Sequence, residues 1–149
     1  PFQMSSVEFF TEVLEHLKPG GVMVVNMSMR SESEGSMNEY LMDTIASVFP
    51  HVYTVRVSSG TNMELFATAD PDALSRFEER RSEVPGEYSA IMQRVEEGLE
   101  TVEGGDYILT DDKAPVELLG MAVLDEIIAN ELEVLRGQIA ENGIMSLLE

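Results

Sequence analysis

The chain has no cysteine and no tryptophan. Without thiols it forms no disulfide, no zinc–thiolate centre and no cysteine nucleophile. Histidine is nearly as scarce. His16 and His51 lie far apart, with no acidic or serine partner at a useful spacing, so neither suits catalysis or metal binding. Cations are few: 9 Lys+Arg stand against 28 Asp+Glu, for a formal net charge of −19. A surface of that sign repels phosphate backbones, which argues against a nucleic-acid partner. It attracts cationic ligands, polyamines among them, and it keeps a protein dispersed in water. No apolar run approaches the roughly 20 residues of a membrane span, and none reads as a secretory signal. A cytoplasmic location without membrane contact is therefore expected.

What is present fits one domain of 149 residues, with 1–69 as a sheet-forming core and 70–149 as a mainly helical extension. Ser5 and Glu8 have capping-box spacing, and Phe10, Val13, Leu14 and Leu17 then recur at helical period. Lys18-Pro19-Gly20-Gly21 ends that helix. Val22-Met23-Val24-Val25 is too short for a helix and apolar on both faces, as a strand inside a parallel sheet would be. Ser36 and Glu39 open a second helix, which Pro50 closes. Residues 51–68 alternate around "SSGTN" and predict a β-hairpin.

Asp70-Pro71 predicts the N-cap and first residue of a third helix, through about Arg81. A fourth helix is expected over about 87–101, with Tyr88, Ile91, Met92, Val95 and Leu99 turned inward. Gly104-Gly105 and an extended Tyr107-Ile108-Leu109 follow. A long helix is expected from about Pro115 to Arg136, its apolar face formed by Val116, Leu119, Val123, Ile127 and Leu135. The ten methionines, Met23, Met27 and Met29 among them, suit core filling better than metal binding.

Three stretches carry a resemblance. "PFQMSSVEFFTEVLEHLKPGGVMVVN" resembles the segment after the catalytic loop in spermidine synthases, the polyamine aminopropyltransferases. "VFPHVYTVRVSSGTNMELFAT" is similar to that family's Phe-Pro-x-Val strand, Ser-Gly turn and returning strand. "ILTDDKAPVELL" resembles a motif of the longer spermidine-synthase-like bacterial proteins. The fold this implies is α/β: the C-terminal half of a Rossmann-like class I S-adenosylmethionine-dependent transferase, with additional C-terminal helices. That fold is a doubly wound sheet finished by an antiparallel last strand.

The resemblance implies transfer of an aminopropyl or methyl group to an amine, from decarboxylated S-adenosylmethionine or S-adenosylmethionine bound by the parent protein. The glycine-rich nucleoside loop, the ribose-binding acid and the catalytic aspartate are expected upstream of residue 1. The 149 residues alone are then expected to be inactive and to bind no cofactor. The rival expectation is a non-catalytic acidic interaction module that kept the fold and lost the chemistry.

Pro1, Phe2 and Gln3 would border the nucleoside pocket. Asn26 ends the first strand, where ligands of open α/β sheets lie, and it stands where the family usually has glutamine. The turn after Val57 lacks the aromatic residues that line a polyamine channel in the family. Asp111 and Asp112 admit two roles: folding over the substrate, or a helix-entry device feeding Pro115. Adjacent in sequence and without a third ligand, they do not make a metal site. A homodimer is expected, paired through the edge of the 22–27 strand.

Overall fold

The computed structural model describes residues 2–28, 34–57 and 62–142. Helix α1 (Val7–His16) follows a short 3-10 turn, Phe2–Met4. Its N-cap is Ser6 rather than Ser5, and the Ser6 hydroxyl accepts from the Phe9 amide at 3.3 Å. Glu8 does not close the expected capping box, because its carboxylate accepts from the Asp111 amide instead, at 3.0 Å. The chain then turns through Gly20, whose φ of +73° favours glycine, into strand β1 (Val22–Ser28).

Helix α2 (Met37–Val48) is capped by Ser36, as its spacing predicts. The Glu39 carboxylate reaches back one residue further than a capping box requires, accepting from the Gly35 amide at 2.6 Å. Strands β2 (His51–Arg56) and β3 (Asn62–Thr68) form the expected hairpin. A short strand, β4 (Leu99–Thr101), adds to the other side of β2, giving the order β1-β3-β2-β4. Every pairing in this sheet is antiparallel. Since β1 and β2 each run opposite to β3, they run parallel to each other, joined by α2 and separated by β3.

One face of the sheet carries the core. Met23, Val25 and Met27 of β1 align with Met63, Leu65 and Ala67 of β3 and with Val52 of β2, and pack under Phe10, Ile45 and Phe49 from α1 and α2. This corrects the expectation of a strand buried on both faces and paired in parallel. Among the described residues β1 pairs only with β3, and Val22 and Val24 on its second face are 46% and 55% exposed. The period-two face Met23/Val25/Met27 suffices for the core, so the valines between them need not be covered.

The opposite face is covered in part by helices α3 (Ala73–Arg81) and α4 (Ser89–Gly98), which an Arg81–Glu96 ion pair ties together. Between them and the sheet lies an apolar cavity of about 140 Å³, bounded by Val22, Tyr53, Phe66, Phe77, Val95 and Leu99.

Two helix boundaries differ from expectation. Asp70 does not cap α3; it accepts from the Asp72 amide at 3.1 Å and pairs with Arg76 at 3.1 Å, forming a turn that delays the helix to Ala73. Helix α4 stops at Gly98 because Leu99–Thr101 leaves it to pair with β2, so the segment beyond residue 70 contributes a strand to the sheet. Tyr88 and Ile91, expected inward, are 48% and 49% exposed. Helix α5 (Val116–Asn142) is longer than expected, about 40 Å at 1.5 Å per residue. Among the described residues its most extensive contact with another element is to α2.

Candidate functional site

Helix α1 runs against the direction of β1, because only a tight turn joins them. The N-terminus of α1, the start of α2 and the C-terminal ends of the parallel pair β1 and β2 therefore share one end of the molecule. In open α/β sheets this is the end that receives ligands.

Asn26 lies there, on the sheet face away from α1 and α2. Its carbonyl oxygen accepts from the Asn62 side-chain amide at 2.8 Å, and Glu64 stands opposite it in the β-ladder. Asn26 is thus held by a neighbour while still exposed. Gln3 is exposed in the 3-10 turn, and its backbone oxygen is 3.4 Å from the Ser6 hydroxyl. Pro1 lies outside the described residues, as do 29–33 and 58–61 of the two loops at this end; only the backbone of Phe2 is described.

The 107–111 segment forms a strap over the paired helices α1 and α2. The Tyr107 amide donates to Asp43 at 3.0 Å, and the Leu109 amide to the buried Thr44 hydroxyl at 2.9 Å. The Leu109 carbonyl accepts from the Val7 amide at 2.9 Å. Gly105 approaches Asp43 so closely that a Cβ would sit 2.5 Å from a carboxylate oxygen, which fixes glycine there. At the strap's end, Asp111 accepts from the fully buried Ser6 hydroxyl at 2.5 Å, while its own amide donates to Glu8. The strap thus fixes where α1 begins, and with it the direction in which residues 2–4 enter the site.

Asp111 and Asp112 are the middle residues of a tight turn in which Thr110 and Lys113 exchange backbone hydrogen bonds of 3.2 and 2.9 Å. This corrects the helix-entry role. Helix α5 starts later, its first bond running from the Leu119 amide to the Pro115 carbonyl, so neither aspartate occupies its cap. Among the described residues no three acidic or histidine side chains gather to hold a metal. Asp112→Ala is accordingly expected to change stability by less than about 0.5 kcal/mol. Calcium or magnesium should leave the melting temperature of the wild type unchanged; a rise that vanishes in the Asp111→Ala/Asp112→Ala variant would overturn this.

Beside the strap, Tyr107 stacks edge-on against Tyr40 with ring centres 4.9 Å apart, and its phenol donates to Glu34 at 3.2 Å. Partial burial, and then the charges of Glu34 and Glu39, hold the Tyr107 phenol above its ordinary pKa. Glu8, Glu34, Glu39, Glu64, Asp111 and Asp112 together make this end strongly negative, with Arg56 at the end of β2 as a nearby cation in the fold. Such an arrangement can attract and orient a cationic ligand. Ser6, Glu8 and Tyr107 were not expected to take part in it. Their partners are 64 to 105 residues away in the chain, beyond any local sequence signal.

The chain is 44% identical, over an alignment of 169 residues, to a probable polyamine aminopropyl transferase of Bifidobacterium longum. That alignment takes in 99% of this chain. Along that stretch the chain is similar to a polyamine aminopropyltransferase. It spans 37% of the length of that curated relative. No family model matches the chain, and no solved structure matches it. As in any comparison with part of a longer aminopropyltransferase, what is shared is sequence along the matched stretch, which here includes the strap, the β1 end and all described helices. No helix is long and apolar enough to cross a membrane among the described residues.

Proposed function

We propose that this chain is part of an aminopropyltransferase that moves an aminopropyl group from decarboxylated S-adenosylmethionine to an amine. The observation that carries this is the 44% identity across 99% of the chain to a protein bearing that name. The strand arrangement supports it. Two parallel strands joined by a helix, with an antiparallel strand inserted between them, are what the end of a doubly wound sheet with an antiparallel last strand would contain. In that reading the open edge of β1 receives a further parallel strand.

In the transfer, the acceptor's nitrogen lone pair attacks the aminopropyl carbon attached to sulfur. The carbon–sulfur bond breaks, methylthioadenosine leaves as a neutral thioether, and the amine gives up a proton. This chain's residues serve the amine side. The acidic end gathers and orients the cationic acceptor, with Asn26 and Gln3 as hydrogen-bonding groups on its rim and Asp112 the carboxylate most free to reach it. Asp111 is committed to Ser6, so its part is to hold the α1 entrance in place. The strap therefore acts on the substrate through residues 2–4.

The test is an assay of the protein that carries this chain, supplied with putrescine and either donor. Methylthioadenosine and spermidine in equal amounts from the decarboxylated donor are expected, with Asn26→Ala raising KM for the amine about tenfold, the equivalent of one lost hydrogen bond of roughly 1.4 kcal/mol. S-adenosylhomocysteine formed from S-adenosylmethionine would replace the proposal with methyl transfer. No product from either donor would leave the acidic interaction module.

A further inference from the structure

The strap reaches both borders of the candidate site. At one end Tyr107 grips the chain just before α2. Its ring stacks edge-on against Tyr40 and packs beside Gly35, where a Cβ would lie 3.8 Å from it. Its phenol donates to Glu34 at 3.2 Å, and its amide to Asp43. At the other end Asp111 grips the start of α1, through Ser6 with its side chain and through Glu8 with its amide. Between them Leu109 bonds to both helices, to Thr44 of α2 through its amide and to Val7 of α1 through its carbonyl.

Every second residue of the strap is therefore bonded to a helix, and the bonds pass stepwise from α2 to α1. Four residues separate the two ends, which limits their distance to about 14 Å. Leu109 has no exposed surface, so the segment has no slack at its midpoint. The close approach of Gly105 to Asp43 pins the chain just before it. Groups joined in one hydrogen-bonded network do not shift independently.

We infer that the strap is a brace that holds the two borders of the acceptor site, residues 2–4 and Glu34–Gly35, at one spacing, with Tyr107 and Asp111 as the positioning residues at its ends. Both act through the segments they hold and need no contact with substrate. The consequence for amine binding rests on the aminopropyl-transfer reading above. The brace itself rests on the bonds alone. Because both ends set the same spacing, freeing either one lets it drift, and freeing the second adds little.

The test uses the protein that carries this chain, well below the melting temperature of each variant. Hydrogen exchange comes first, since it needs no substrate. Tyr107→Phe keeps the ring and removes the donor. It should speed exchange about threefold at residues 34–36 and also at Val7 and Phe9, at the far end of the strap, while β2 and β3 stay unchanged. Asp111→Ala should in turn speed exchange of the Tyr107 amide. In the transfer assay, each variant should raise KM for putrescine about fivefold with kcat within twofold, and the double variant less than about tenfold rather than the product of the two. Asp111→Asn keeps an oxygen to accept from Ser6 and should recover most of what Asp111→Ala loses. Exchange that rises only at the altered end would overturn the brace, as would KM effects that multiply. An Asp111→Asn variant as impaired as Asp111→Ala, with wild-type exchange, would overturn it too, since Asp111 would then serve the amine by its charge. If the wild type transfers no aminopropyl group, the reading above fails, and the exchange result decides the brace by itself.

Discussion

Leu65→Ala is expected to lower the unfolding free energy by about 3–4 kcal/mol, a large part of the roughly 5–15 kcal/mol that holds a domain of this size together. Leu65 has no exposed surface and sits at the middle of β3, opposite Val25 of β1 on one side and Thr54 of β2 on the other. It belongs to the cluster that includes Phe10, Ile45 and Phe49. Neighbours on three elements hold the cavity open, so little of the lost packing is recovered. Its sequence neighbour Phe66 points to the other face, against the cavity under α3, and is only half-buried. Phe66→Ala should therefore cost less despite removing a larger group. Urea unfolding of both variants, with unchanged dependence on denaturant, measures the difference. A greater loss for Phe66→Ala would mean that the faces of the sheet are assigned the wrong way round.

Ser6→Ala is expected to cost about 2–3 kcal/mol, more than the ~1 kcal/mol of an ordinary lost N-cap. Two bonds are lost together. The hydroxyl caps α1 through the Phe9 amide, and it donates to the Asp111 carboxylate at 2.5 Å. A hydrogen bond to a charged partner contributes about 1.5–3 kcal/mol, and the two terms share one oxygen, so they do not simply add. Ser5→Ala, one residue away, should fall within about 0.5 kcal/mol. A double-mutant cycle with Asp111→Ala isolates the pair. A coupling indistinguishable from zero would show that the strap does not hold the start of α1.

The elements that could be read from sequence are those decided locally. Ser36 caps α2 because its hydroxyl accepts from the Glu39 amide, a bond made within one turn of the chain. The 51–68 hairpin follows from two alternating runs about one turn. Asp111 illustrates what could not be read. The same "TDDKAPVE" serves equally as a helix entrance or as a turn, and only a serine 105 residues away decides between them. The apolar run of β1 was similarly ambiguous, since its composition states what it can bury and not which strands will stand beside it. In α5 the inward stripe was legible at Val116 and Leu119. Leu124 and Ile128 add a second, exposed apolar face, and two apolar faces on one helix blur each other's period. The candidate site was legible at Asn26, a strand-end residue, and hidden at Ser6, a local cap, and at Glu8, whose expected capping role concealed a distant partner.

The insertion of β3 between β1 and β2 also dictates an order of events as the chain folds. β1 and β2 are never hydrogen-bonded neighbours, so among the described residues β1 finds its ladder in β3, the last of the three to leave the ribosome. The β2–β3 hairpin closes locally, on a scale of about 1–10 μs. β1 must then dock from some forty residues away in sequence, across the whole of α2. A nascent chain cut before β3 would display this edge of β1 bare. Closure of this sheet is a late, non-local step, and on the time axis the exposed valines of β1 are at their most vulnerable before it occurs.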